Sequence, residues 1–241
     1  MSDAAPSVNK TAPAKTEALD FSTVIASSVH DMKNSLSMLL CTLDEITTEC
    51  DPATCPVTEK FLQVQYEGQR VNNHLIQLLA IYKMGNAQCG ANITEQYVDD
   101  FLEECALQYE ALLTPKGIAI ETDCEAGLVG YFDRELVSGV VNNVINNAYR
   151  YSKDRIRLSG RREDGYVVIA VEDNGGGYPP AMLCDYSQGT SGVSFSSGST
   201  GLGLYFSSLV ASSHKNRDLT GYIRCSNDGM DGGGCFSIHL P

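Results

Sequence analysis

The sequence predicts two unlike parts in series: a helical hairpin of the kind that pairs into a dimeric four-helix bundle, then an α/β sandwich with a mixed sheet. Three observations predict this. Apolar residues between 24 and 82 recur mostly every three or four positions, the period of a helix. Beyond residue 91, helix-period segments are interrupted by short alternating runs, the period of a strand. The runs 155–163 and 166–173 then meet at Glu163-Asp164-Gly165, a tight-turn signal between two strands.

Taken in order, residues 1–19 are polar, rich in Ala, Pro and small side chains, and read as a disordered lead-in. Residues 20–90 read as the hairpin. Val24, Val29, Met32, Leu36, Leu39, Leu43 and Ile46 form the stripe of a first helix. Asp51-Pro52 and Cys55-Pro56 stop it and start a second, with Val64, Val71, Leu75, Leu78 and Tyr82 on its stripe, ending near Gly85 and Gly90. A lone hairpin buries such stripes poorly, whereas a second copy completes a four-helix bundle. Residues 91–241 read as the α/β part: a helix over about 94–114, strands over 118–123 and 128–132, and a helix over 133–151. The hairpin of strands at 155–173 follows, then a Gly- and Ser-rich segment over 174–203, a helix over about 202–213, and strands over 219–226 and 234–240.

The formal net charge of −13 is shared, with 6 basic and 10 acidic residues up to residue 90 and 11 and 20 after it. Both parts are acidic, which argues against nucleic acid or an anionic membrane as partner. No apolar run reaches the roughly 18 residues of a membrane span, and the first residues lack the apolar stretch of a signal peptide, so the expected location is cytoplasmic. Nine cysteines without a CxxC pair suit reduced, mostly buried thiols; a redox pair at Cys50 and Cys55 is the alternative.

Four motifs carry chemistry. In SSVHDMKNSL on the first helix, His30 adjoins Asp31, with Asn34 one turn later. A neutral imidazole is a competent nucleophile toward phosphorus, and a neighbouring carboxylate can orient it. On the helix over 133–151, Asn143 and Asn147 share a face, with Arg150 and Tyr151 following within a turn. Amide oxygens suit Mg²⁺ beside phosphate oxygens, and arginine pairs with phosphate. Asp173 ends an apolar strand before Gly175, Gly176 and Gly177, where a carboxylate can accept from a base amino group while glycines admit a flat ring. Thr200, Gly201 and Gly203 open a helix, whose backbone N–H groups favour phosphate. A surface histidine, a polar helix face and ordinary glycine turns explain each motif singly just as well.

In this order and at these separations, the motifs resemble those of bacterial two-component sensor histidine kinases. HDMKN at 30–34 resembles the phosphoacceptor box, NVINNAYRYS at 143–152 the asparagine box, DNGGG at 173–177 the first glycine box and GLGL at 201–204 the second. The ending GGGCFSIHLP is similar to the end of that family's ATPase domain. The departures are Ser35 in place of a usual proline, no recognisable phenylalanine box in MLCDYSQGTSG, and His214-Lys215-Asn216 in place of histidine-glycine-glycine.

The resemblance implies a homodimer in which residues 20–90 dimerise and carry the phosphoacceptor, while residues 91–241 bind Mg-ATP. Asn147 would hold Mg²⁺ with support from Asn143. Asp173 would read adenine, Gly175 and Gly177 would admit the base, and Tyr151 would pack near it. Thr200, Gly201 and Gly203 would meet the phosphates, with Arg150 nearby. His30 would take the γ-phosphoryl group, oriented by Asp31 as general base or positioning group, and pass it to an aspartate of a response regulator. Asn34 would serve dephosphorylation of that regulator. A separate sensor protein is implied as a further partner. The alternative is a non-catalytic histidine phosphotransfer or scaffold protein with a degenerate ATPase domain.

Overall fold

A computed structural model describes residues 21–49, 58–85, 91–185 and 201–241. Helices α1 (Phe21–Glu49) and α2 (Thr58–Gly85) form the expected hairpin. Ser35, standing where proline would break the ladder, sends its hydroxyl to the carbonyl of Asp31 at 3.0 Å, and α1 runs through it unbroken. The two helices close up at Gly68, where a Cβ would lie only 2.8 Å from Leu40 Cδ2.

Strand β1 (Thr94–Tyr97) follows, then α3 (Val98–Leu113). The sequence expectation of one helix from residue 94 is therefore corrected at its start. Thr94–Tyr97 pairs antiparallel with β3 (Val129–Phe132), and this long-range pairing overrides the local helix period. Between them lies β2 (Ala119–Cys124), and after them α4 (Arg134–Tyr151). Asp133 caps α4, its carboxylate accepting from the Leu136 N–H at 3.1 Å.

β4 (Arg155–Glu163) and β5 (Tyr166–Asp173) make the predicted hairpin. Glu163 already pairs with Tyr166, so the turn is Asp164-Gly165 alone, both at positive φ (49° and 85°), the geometry that matches strand twist. After β6 (Cys184–Asp185) and α5 (Gly201–Ser213) come β7 (Lys215–Asn216), β8 (Leu219–Thr220), β9 (Tyr222–Ser226) and β10 (Cys235–Leu240). The single strand expected over 219–226 is divided at Gly221. Its backbone squeezes past the carbonyls of Ala211 and His239 with no room for a Cβ.

Six strands form one sheet in the order β2-β4-β5-β10-β9-β6, with β2 parallel to β4 and every other neighbour antiparallel. This is the mixed sheet the sequence predicts. α3, α4 and α5 pack against the sheet, and the core between them includes Phe101, Phe132, Ile145, Leu158, Phe206 and Ile238, all fully buried. α2 rests in turn on α4 and α5. Among the described residues, no helix is long and apolar enough to cross a membrane.

Candidate functional site

The four asparagines of α4 are placed by helical phase. The Tyr109 hydroxyl of α3 donates to the Asn142 backbone carbonyl at 3.3 Å and accepts from Asn146 Nδ2 at 3.1 Å. Asn143, Asn146 and Asn147 line a narrow cleft with Arg150 and Tyr151. The amide of Asn143 fills the space where a Cβ on Gly203 would stand, so only glycine lets the start of α5 close onto α4 here.

Asp173 ends β5. Its Oδ1 accepts from the N–H of Gly175 at 2.7 Å and of Gly234 at 3.4 Å, which leaves Oδ2 to accept from another group. A Cβ on Gly175 would collide with the Tyr151 carbonyl, and one on Gly234 would lie 2.8 Å from Asp173 Oδ2. The last turn of α4, the end of β5 and the start of β10 are thus drawn together through glycine backbone. Gly177, at φ 73°, lies against the Asn227 amide. That amide accepts from the Tyr178 N–H at 2.6 Å and donates to its carbonyl at 3.0 Å.

Several participants escape sequence reasoning. Asn174, 4% exposed, accepts from three successive N–H groups, Lys153, Asp154 and Arg155, at 3.2, 3.2 and 3.1 Å, and donates to Asp154 at 2.6 Å. It staples the exit of α4 to the end of β5. Its position inside DNGGG was the available signal. Tyr66, Arg70 and His74 of α2 line the same cleft as Asn143 and Asn147, a contact no local pattern announces. Tyr66 is buried, stacks at 4.2 Å on Tyr149, and sends its hydroxyl to the Asn146 carbonyl at 3.3 Å. Burial, then the nearby Arg70 guanidinium, pulls the His74 imidazole below its ordinary pKa. With α2 docked, the cleft measures about 50 Å³, far below the roughly 300–1,000 Å³ of ligand pockets.

His214, the histidine ahead of Lys215-Asn216, is buried. Its Nδ1–H donates to the Val210 carbonyl at 2.8 Å and its Nε2 accepts from the Asp133 N–H at 2.9 Å. Both bonds suit the neutral ring, and burial lowers its pKa.

The remaining sequence candidates lie on α1. The His30 ring is 60% exposed. Its Nδ1 lies 3.8 Å from Asp31 Oδ1 and 3.3 Å from Asn34 Nδ2. Both polar partners lie on its own helix, away from Asn143, Asn147 and Asp173 in sequence. Thr200, Cys50 and Cys55 lie outside the described residues, as does the whole segment between β6 and α5.

Residues 132–241 match the family of histidine kinase-, DNA gyrase B- and HSP90-like ATPases. Over 225 residues, 90% of this chain, the sequence is 24% identical to the sensor-like histidine kinase SenX3 of Mycobacterium tuberculosis. Residues 132–241 therefore belong to that ATPase family, and the matches together support a two-component sensor histidine kinase. The chain spans 53% of SenX3, about half the length of that curated relative. Among solved structures, this chain shares its fold with Acinetobacter baumannii histidine kinase AdeS (TM-score 0.55, 21% identity, 88% of this chain and 96% of that one). It also shares it with full-length ShkA in complex with AMPPNP (TM-score 0.57, 18% identity, 91% of this chain and 45% of that one).

Proposed function

We propose that this histidine kinase phosphorylates its own His30 from Mg-ATP and passes the phosphoryl group to a response-regulator aspartate. The observation that carries the reading is the seating of Asn143 against Gly203, beside the approach of Gly175 to the end of α4. It brings three separated sequence boxes onto one wall. Residues 20–90 act as the dimerising phosphoacceptor part and 91–241 as the ATP-binding part, with residues 1–19 a lead-in. The exposed stripe on α1 and α2, including Met32 at 56% and Leu39 at 50%, supports pairing of two copies into a four-helix bundle.

The residues present fit the nucleotide. Asp173 Oδ2 accepts from the adenine amino group, and Gly175 and Gly177 admit the base beside Tyr151. Gly201 and Gly203 present backbone N–H groups at the start of α5, with Thr200 ahead of them and Arg150 near the phosphates. Mg²⁺ keeps waters and phosphate oxygens and needs only one or two protein oxygens, so the Asn147 amide oxygen suffices, with Asn143 beside it. The metal, when bound, neutralises charge on the transferring group. Because α2 narrows this face, nucleotide binding requires α2 to withdraw from α4.

The chemistry at His30 turns on its tautomer. An N–H from Asn34 to Nδ1 leaves the proton on Nε2 and the ring unreactive there. When Nδ1 carries the proton and donates toward Asp31, the Nε2 lone pair is free to attack the γ-phosphorus. Asp31 therefore positions the ring and stabilises the charge that develops as the bond forms. Asn34 has a second use, holding a water for hydrolysis of the regulator's acyl-phosphate. A separate sensor protein supplies the stimulus.

Incubation of the full chain with labelled Mg-ATP tests the reading. It should yield an acid-labile, alkali-stable phosphoryl group that His30→Gln abolishes with nucleotide affinity unchanged. Asp173→Asn should weaken ADP binding by about 1–3 kcal/mol in calorimetry. Labelling retained in His30→Gln would overturn the assignment.

A further inference from the structure

Given Asp173 as the group that meets adenine, the reading on which this rests, we propose that Asn227 is the positioning residue that aims it. Asn227 acts from the loop that joins β9 to β10, through the glycines that follow Asp173.

The need for such a residue begins in the sequence. Gly175, Gly176 and Gly177 have no side chains with which to pack. Glycine loses more backbone freedom on folding than any other residue, so a run of three is held in one conformation only by contacts from elsewhere. The run also governs the carboxylate. The Gly175 N–H donates to Asp173 Oδ1 at 2.7 Å, so the path of the glycines sets the direction of Oδ2.

Residues 227–234 hold both ends of this run. At one end, the Asp173 N–H donates to the Gly234 carbonyl at 2.9 Å, and the Gly234 N–H donates to Asp173 Oδ1 at 3.4 Å. At the other end, the Asn227 side chain brackets the backbone of Tyr178. Its Oδ1 accepts from the Tyr178 N–H at 2.6 Å, and its Nδ2 donates to the Tyr178 carbonyl at 3.0 Å. The same amide closes the back of Gly177, where a Cβ would lie 2.8 Å from Asn227 Cγ and Oδ1. The loop is itself tied. The Gly229 N–H donates to the Gly233 carbonyl at 3.1 Å, the Gly233 N–H donates to the Met230 carbonyl at 2.9 Å, and Met230 is buried. Tyr178 also meets the other end of the loop. A Cβ on Gly234 would lie 3.0 Å from the Tyr178 ring and 2.8 Å from Asp173 Oδ2, so ring and carboxylate border the same glycine.

An amide suits this task. It carries an acceptor and two donors on one short stem, and so satisfies both backbone groups of Tyr178 at once. A carboxylate would keep the acceptor alone.

The test is calorimetry on the full chain with ADP and with inosine diphosphate, which carries an oxygen where adenine carries its amino group. Withdrawal of α2 burdens both nucleotides equally and cancels in their ratio. The wild type should prefer ADP by about tenfold or more, the scale of one hydrogen bond to a charged group. Asn227→Ala should bring the two within about threefold, chiefly by weakening ADP. Asn227→Asp, which retains the acceptor, should fall between, and it serves as the second variant should circular dichroism show Asn227→Ala unfolded. The wild-type preference persisting in the folded variants, with a lower melting temperature, would show a purely structural role and overturn the proposal. Equal weakening of both nucleotides would overturn it too. No preference in the wild type would overturn the reading of Asp173 itself, and this proposal with it.

Discussion

The hairpin and the α/β unit use apolar residues in opposite ways. In the α/β unit, large side chains from helices and sheet vanish from solvent, with Phe132, Val140, Ile156 and Ile238 all at 0% exposure. In the hairpin, Val29, Tyr66 and Gln77 are the buried residues among those described, and Tyr66 and Gln77 face the α/β unit rather than the other helix. Met32, Leu39, Val64 and Val71 stand at 47–56% exposure. One sequence thus holds a closed core and an open stripe. The difference teaches that the α/β unit is specified by its own chain, whereas the hairpin's stripe is specified for something outside it.

The sharpest way to break this comparison is in the closed core. Phe132→Ala removes a ring packed edge-on to Phe101 at 5.3 Å. It should cost about 3–5 kcal/mol in denaturant unfolding; a cost under about 1 kcal/mol would mean that the core is loosely packed. Next in size is Asn174→Ala, which strands the N–H groups of Lys153, Asp154 and Arg155. A loss of about 1–3 kcal/mol is expected, with weaker ADP binding, since the end of β5 would no longer be tied to α4.

The hairpin sharpens the contrast from the other side. Met32→Ala should change the unfolding free energy of a protomer by less than about 0.5 kcal/mol. Met32→Asp should raise the dimer dissociation constant by at least about tenfold in light scattering, a loss of about 1.4 kcal/mol. Equal dissociation constants for wild type and Met32→Asp would remove the stripe from the interface.

The smallest expected effect is a pH slope at His214. The folded state holds the ring neutral, with its pKa lowered by burial. The unfolded ring protonates near its ordinary value of about 6.5. Stability from this ring is therefore full above that value and is lost as pH falls through it toward the lower folded pKa. His214→Ala should flatten unfolding curves between about pH 7 and 5 while lowering stability at neutral pH. An unchanged slope would mean that the ring is not neutral in the fold.

Residue order and period determine much of this protein. The hairpin, the β4–β5 turn, α4, α5 and the mixed sheet are legible because each rests on local periodicity or on a turn residue such as Gly165. The sequence boxes are legible for the same reason, since each is contiguous. What tertiary structure alone decides is non-local. β1 exists because β3 offers it an edge, against the local helical period. Asn142 parts from Asn143 because α3 and α5 meet different faces of α4. Tyr66, Arg70 and His74 reach the cleft because α2 docks on the α/β unit. No spacing along the chain encodes which helix faces which; that is settled by the packing of whole elements, where side chains far apart in sequence fill one another's gaps.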